Sequence, residues 1–456
     1  GLIVFILSLF IFFANISSFP LRNWDEAWYA EITKNMANGS GLLVSFWNGQ
    51  YYFDKPPLYF WLSLPFFEIF GAGEWQARII SATAAVFASI LIYLLGKKLF
   101  SPKAGFFASL VFVTLGQIVV RLSHGNLDGL LIFFILATFY FYILGVQNRN
   151  IFFALSGICL GLGFLVKGWF LGLFALFVIF CYAIFVQKKL PPQLLIVTIL
   201  GLIVSGWWFL WGSIKFGKPF VNWYIFNPAA GDLTLPIANF SLAYVSYFVR
   251  DVGLWFITII LFALIFRQKH FEYRRQFLAL LGSTLLFLLL INFAKEKLDW
   301  HLLLAYPFVS LLLGYMLARL EKMYSTLTRL FIVILVVIQI FVVYKIERIY
   351  PDRSSVGAQL GEYAGTFIPK EDTIVLDDRD FTSFLFYSDH GRVYVATSEG
   401  GGVLDWWWMR YSDLPQFIEL HPKTWIISPN PESLPINFDR VQIQGQYLGY
   451  KFVKVR

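Results

Sequence analysis

Charge is scarce in this sequence. Asp, Glu, Lys and Arg make up 14% of its 456 residues, against about a quarter in ordinary soluble domains. So few charges cannot coat a water-facing surface, which excludes a purely soluble fold. Cysteine is scarcer: Cys159 and Cys181 are the only two, both in apolar runs, so no disulfide framework organises the chain. There is no glycine-rich phosphate loop, the usual mark of a nucleotide-dependent enzyme. There is no internal repeat and no low-complexity linker. The net charge of +8 does not make a nucleic-acid surface, because the basic residues are dispersed through short loops. No nucleic-acid partner is expected. The opening apolar run, 1–13, is followed by no small-residue cleavage site, so it reads as a first span rather than a signal peptide.

What is abundant is apolar side chain, at 58% hydrophobic residues with 51 Phe, and a mean hydropathy of +0.66. Aromatic residues in such numbers suit lipid contact and interfacial belts. Apolar runs long enough to cross a bilayer lie near 1–20, 76–96, 104–120, 129–146, 151–166, 168–186, 194–211, 250–266, 277–293, 302–318 and 329–344, about eleven in all. The stretch 151–186 must be a hairpin broken near Lys167-Gly168. Lys97, Lys98, Lys103, Arg149, Lys188, Lys189, Arg267, Lys269, Arg274, Arg275, Arg319, Lys322 and Arg329 fall in one alternating set of short loops, with Glu272 and Glu321 as their few acids. The Lys/Arg bias puts this set in the cytoplasm. Segments 21–75, 121–128, 212–249, 294–301 and the turn at Lys167 then share the outer side, as does the tail.

The tail changes character. Runs at 372–377, 391–396, 423–428 and 449–455 read as strands, with a helix near 381–388. The expected architecture is an all-α polytopic membrane domain over 1–345 and a small α/β extracytoplasmic domain over 346–456.

The outer segments carry the chemistry-bearing residues. Asn23 can cap a helix, with Glu26 as capping-box partner. Trp24, Trp28, Ile32 and Met36 recur every four residues, which suits a helix lying on the outer leaflet with its aromatic face in lipid. Asp25 and Glu26 either complement the helix dipole or supply a general base. In Tyr51-Tyr-Phe-Asp-Lys-Pro-Pro-Leu58, two prolines hold Lys55 away from helix. It is either half of a surface ion pair or a phosphate ligand. Asp128 enters an apolar run directly, where an acid is costly unless paired or facing a cavity. His124, four residues before it, is a ligand or a helix-end hydrogen bond. Lys167 either snorkels at its turn or contacts phosphate.

Asp25-Glu-Ala-Trp-Tyr-Ala-Glu31 followed by the Tyr51–Leu58 segment resembles the polyprenyl-phosphate-sugar-dependent membrane glycosyltransferases. These include the aminoarabinose transferases of lipid A and the protein O-mannosyltransferases, within the glycosyltransferase C superfamily. The resemblance runs to about residue 320 and implies an enzyme of the bacterial inner membrane, its site facing outward. It would transfer a sugar from a polyprenyl-phosphate donor to a lipid, glycan or protein acceptor, inverting at the anomeric carbon, as in modification of lipid A or a cell-envelope glycan. It implies Asp25, Glu26 and Asp128 as catalytic acids. It implies Lys55, Lys167, Lys295, Lys297, Tyr52, Arg121 and Tyr306 as substrate-binding residues. Membrane lipids are the remaining expected partners.

Several positions depart from the family pattern. His301 stands where Tyr is usual, and Asp299 and Leu304 where Pro is expected. Trp28 replaces an Arg of the aminoarabinose transferases. The loop 223–227 lacks an expected metal-ligating His, so no metal site is carried over. Asp54 with His301 or His124 are the loose candidates for a divalent metal. A transporter or flippase of lipid-linked sugars is the alternative function, though the charges cluster on one side and no repeat is visible.

Overall fold

The structure, a computed structural model, describes residues 1–14, 16–53, 55–147, 150–226, 240–265, 272–294, 297–349, 354–377, 381–399 and 406–455. It divides into two compact units. The first holds Gly1–Ile16, Phe53–Leu62 and Arg78–Tyr350; the second holds Ser17–Tyr52, Ser63–Ala77 and Pro351–Arg456.

The first unit is helical. A bilayer offers no partner to a bare N–H or C=O, so each apolar run must close its hydrogen bonds on itself. Each segment expected to span contains a helix. Among the described residues, five are long and apolar enough to cross a membrane: Glu74–Leu99, Asp128–Gln147, Gln193–Phe216, Ala243–Leu264 and Arg274–Ile291. Pro102–Phe112 and Gly116–Leu122, bent by 67°, make a sixth if taken as one span. The chain is a multi-pass membrane protein.

Small residues set how closely these helices approach. A Cβ on Gly314 would lie 2.4 Å from the Ala108 backbone nitrogen, so the Tyr306–Met323 and Pro102–Phe112 helices meet almost backbone to backbone. Pro102 sits at the first helical position and Ser101 accepts from the Ala104 N–H at 3.2 Å, which starts the second of these helices. The expected break at Lys167-Gly168 is present. The Ile151–Lys167 helix ends on Gly168 at φ 90° and ψ 164°, and the Trp169–Tyr182 helix starts at once. That backbone region is open essentially to glycine alone.

Ion pairs connect loops assigned to the same side. Glu321 takes both Lys103 at 2.6 Å and Arg329 at 2.7 Å, and Arg319 meets Glu272 at 2.9 Å. These are residues of the lysine- and arginine-rich loops. The other set joins Arg121, Asp128, Lys167, Arg250 and Asp299.

The second unit is built on a six-stranded mixed sheet. Its spatial order is Trp408–Arg410, Val393–Thr397, Thr373–Leu376, Thr424–Ser428, Tyr450–Val455, Val441–Tyr447. The first four strands are parallel, and Tyr450–Val455 pairs antiparallel with both of its neighbours. Val375, Ala396, Ile426 and Val453 form its core with Leu414 and Leu434. A second core joins Leu21, Ala27 and Ala30 to Phe67, Ala77 and Phe386, so the Asp25–Ala37 helix is held by apolar burial on one face. A short hairpin, Phe46–Trp47 with Gln50–Tyr51, turns through Asn48 and Gly49, both at positive φ. The Asn48 amide then bonds Val393 twice, donating to its carbonyl and accepting from its N–H, each at 2.8 Å.

Two expectations for the Asp25–Ala37 helix are corrected. Asn23 does not cap it: Trp24, at φ 68°, occupies the cap position, and the Asn23 side-chain oxygen Oδ1 accepts from the Ser383 N–H at 2.9 Å. Nor does the aromatic face lie in lipid. Ile32 and Met36 are buried, and Trp28 stacks on Trp47 at 4.5 Å with Trp407 edge-on at 5.7 Å. The tail supplies the apolar partner that the local sequence could only seek in a membrane.

Candidate active site

In the first unit the Asp128 carboxylate opens the Asp128–Gln147 helix, where an anion complements the helix dipole. Its own N–H is held by the Asn126 side chain at 3.0 Å. Asp128 is only 4% exposed, and a buried carboxylate must be paired. Lys167 Nζ meets Oδ1 at 2.5 Å and Arg121 Nη2 meets Oδ2 at 3.3 Å. Lys167 is delivered by the last turn of its helix, and the Gly168 break stops the chain there. Arg121 lies over the Trp300 ring at 4.9 Å, a cation–π contact that fixes the guanidinium plane. Two cations thus face one carboxylate.

Beside Trp300, His301 bonds the Tyr244 hydroxyl through Nδ1 at 2.7 Å. Burial, then the nearby Lys167 ammonium, pushes its imidazole down to about 4. It is therefore neutral at ordinary pH. His124 bonds the Val120 carbonyl, the helix-end contact of its two expected roles. Lys297 donates to the Asn292 carbonyl at 2.8 Å and to that of Ala294. Tyr306 is fully buried and gives its hydroxyl to Asp251 at 2.5 Å. Lys55 is half-buried, followed by buried Pro56 and Pro57. Lys295 and Asp54 lie outside the described residues.

Sequence reasoning missed one network. Arg250 bonds Asp251 at 2.7 Å and Asp299 at 2.8 Å, so Asp299, an oddity against the family pattern, anchors an arginine. The adjacent Arg250-Asp251 pair at the edge of an apolar run was the available signal.

In the second unit, Asp25 is half-buried at the helix start and accepts from the Tyr29 hydroxyl at 3.2 Å. Glu26, 3% exposed, accepts from the Arg22 N–H at 2.8 Å. That is the capping-box role, taken one residue earlier than expected. Glu31, the third acid of the motif, is buried and pairs Lys34 at 2.6 Å. Burial pushes its carboxyl up despite that lysine. Tyr52 packs on Trp28 at 5.1 Å and Trp406 at 5.8 Å. Among the described residues no three His, Cys, Asp or Glu side chains gather as a metal site.

Comparison with known proteins agrees with the motif. Residues 54–211 match the family described as dolichyl-phosphate-mannose-protein mannosyltransferase. A protein of Aquifex aeolicus is 25% identical over 321 residues, 68% of this chain and 62% of that one. An undecaprenyl phosphate-alpha-4-amino-4-deoxy-L-arabinose arabinosyl transferase of Pseudomonas savastanoi is 29% identical over 149 residues, 32% of this chain and 28% of that one. This chain thus spans less than two thirds of either relative's length. The crystal structure of ArnT from Cupriavidus metallidurans, bound to undecaprenyl phosphate, superposes with a TM-score of 0.75 over 99% of this chain and 97% of that one, at 16% identity. The chain shares the fold of that ArnT structure. Asp25, Glu26 and Glu31 lie on the sequence motif, and Arg121, Asp128 and Lys167 lie on the other segments read as outer.

Proposed function

We propose that this protein transfers a sugar from a polyprenyl-phosphate donor to an acceptor hydroxyl, or to a phosphate of a lipid or glycan, with inversion at the anomeric carbon. The observation that carries the reading is the Lys167–Asp128–Arg121 cluster: a buried carboxylate at the start of an apolar helix, paired with two half-buried cations. The family match and the ArnT-like fold support the same chemistry. None of these relatives supports a carrier of lipid-linked sugars.

In this reading all eleven apolar segments cross the inner membrane, the cluster faces outward, and the tail is an extracytoplasmic domain. The leaving polyprenyl phosphate is a stable anion, so a strong general acid is unnecessary. The gain comes from cations aimed at the charge developing on phosphate. Lys55, Lys167, Lys295 and Lys297 are the cations assigned to it, with Arg121. Asp128 sets the positions of Lys167 and Arg121. Asp25 takes the acceptor proton or orients the hydroxyl, and Glu26 fixes the turn that presents Asp25. Tyr52 and Tyr306 are the remaining residues assigned to substrate binding.

The test is transfer by purified, reconstituted protein from radiolabelled polyprenyl-phosphate sugars to membrane extracts. Asp25→Asn should lower turnover at least about a hundredfold, the contribution of a positioned base, with melting temperature kept. Wild-type turnover in that variant would remove Asp25 from the chemistry. No transfer from any polyprenyl-phosphate sugar would overturn the function.

A further inference from the structure

Arg250, Asp251, Asp299 and Trp300 have no part in the mechanism above, yet they lead to one of its cations. Arg121 lies over the Trp300 ring at 4.9 Å, so the ring must itself be held. Trp300 sits in the 3₁₀ turn Asp299–Leu304, and the residues on either side of it are both tied to the Ala243–Val252 helix. Before it, Asp299 accepts from Arg250 Nη2 at 2.8 Å; after it, His301 shares a hydrogen bond with Tyr244 at 2.7 Å. Arg250 Nε also donates to Asp251 at 2.7 Å, and Asp251 accepts the Tyr306 hydroxyl at 2.5 Å, just past the turn. Arg250 thus reaches both ends of the turn, Asp299 directly and Tyr306 through Asp251.

The same segment braces Arg121 from its backbone side. Trp255, fully buried just beyond that helix, donates its indole N–H to the Thr114 hydroxyl at 3.0 Å. Thr114 lies in the break between the Pro102–Phe112 and Gly116–Leu122 helices, and the second of these carries Arg121. The Thr114 hydroxyl in turn donates to the Leu110 carbonyl at 2.8 Å, so the break is tied on both sides. One stretch of chain, 243–255, therefore fixes both the ring that meets Arg121 and the start of the helix that carries it.

Stability alone does not account for the Arg250–Asp299 pair. The two side chains are 53% and 29% exposed, and ion pairs this open to solvent add little to stability. What the pair does is order the turn. That order matters to Arg121, whose contact with Asp128 is a single nitrogen at 3.3 Å. A guanidinium held at one nitrogen can still turn about that contact, and the Trp300 ring removes the freedom. A cation stabilises developing charge best when it is set in place before the charge appears. We infer that Arg250 and Asp299 are positioning residues, which hold Trp300 over Arg121 and so set the guanidinium for the donor phosphate. This rests on the transfer function proposed above and adds to it the residues that act through Arg121.

The experiment uses the full chain in lipid nanodiscs, labelled with 5-fluorotryptophan, and Trp300→Phe assigns the Trp300 ¹⁹F signal. Without ligand, Arg121→Gln should shift that signal in the wild-type background. In the Asp299→Ala background it should leave the signal unmoved, because the ring no longer lies over the guanidinium. Binding is then titrated with decaprenyl phosphate, which carries no sugar. Arg121→Gln and Asp299→Ala should each weaken it about tenfold, the worth of one hydrogen bond to a charged group. The double variant should bind as Arg121→Gln alone does, because Asp299 acts only through Arg121. Asp299→Glu, which still reaches Arg250, should recover most of the affinity. A merely structural Asp299 would lower the melting temperature and leave affinity per folded molecule unchanged. The inference is overturned by that pattern, by a Trp300 signal that responds to Arg121→Gln equally in both backgrounds, or by a double variant about tenfold weaker than Arg121→Gln. Arg250→Gln breaks the same bond from its other side and is read in the same way should Asp299→Ala fail to fold. A wild type that binds no decaprenyl phosphate would overturn the proposed function, while the ¹⁹F comparison, made without ligand, would still decide whether Asp299 positions Trp300 over Arg121.

Discussion

Lys55 is restrained by two buried prolines and belongs to the motif segment Tyr51–Leu58. If it holds donor phosphate, Lys55→Ala should raise the donor KM and lower kcat together, because phosphate carries more charge in the transition state than in the ground state. Lys55→Arg should restore only part, since a planar fork does not replace a point charge. A purely structural lysine would give the opposite pattern: an early melt and normal turnover per folded molecule. His301 makes a prediction of a different kind. Its imidazole is held down at about 4 by burial and Lys167, against about 6.5 in an unfolded chain. Between these values the unfolded state binds the extra proton. The stability tied to His301 is therefore complete above about pH 6.5, falls as pH drops toward 4, and is flat below. His301→Gln should melt with a shallower pH dependence than wild type across that window, and equal slopes would show that His301 does not titrate as described. The charged cluster was partly legible: Asp128 and Lys167 stand out because charge at the edge of an apolar run is expensive, and the two pair in the structure. The bond from Tyr306 to Asp251 was not legible, because a contact between residues so far apart in sequence leaves no local pattern.

Among the elements, the helices of the first unit were readable for one physical reason. A bilayer forces every long apolar run to satisfy its own backbone, so hydropathy alone locates them. The hairpin at Asn48-Gly49 carries the standard signal for a two-residue turn, yet its strands are two residues each, too short to show alternation. The lipid-facing expectation for the Asp25–Ala37 helix failed for a related reason. Its stripe of Trp and aliphatic residues requires an apolar partner, and periodicity does not say whether the partner is lipid or protein. The break at Gly168 is the element that positions Lys167, and it is testable. An added Cβ there meets no atom within 4 Å, so Gly168→Ala costs only backbone strain, about 1–3 kcal/mol. The variant should melt earlier and bind donor more weakly, because the helix end carrying Lys167 must shift. Normal donor affinity with an early melt would separate the break from the site.

At the scale of the whole molecule, everything turns on which end of the helices faces out. The proposed orientation, argued from loop charge, has Lys188, Lys189 and Lys322 in the cytoplasm and the tail outside. The tail has well-exposed cleavage points for trypsin, among them Lys370, Arg392, Arg410, Lys423 and Arg440, and Lys188, Lys189 and Lys322 are exposed as well. The two groups should respond oppositely. Trypsin added to intact spheroplasts should cut the tail and spare Lys188-Lys189, whereas inverted vesicles should reverse the pattern. Cleavage in the tail should also be limited rather than complete, because the sheet core of Val375, Ala396, Ile426 and Val453 is closed to the protease. Peptide mapping distinguishes the outcomes. A tail degraded to small peptides would mean that its sheet does not hold in the membrane-bound protein. A tail cut only in inverted vesicles would reverse the orientation, put the Lys167–Asp128–Arg121 cluster on the cytoplasmic side, and require the donor to present its sugar there.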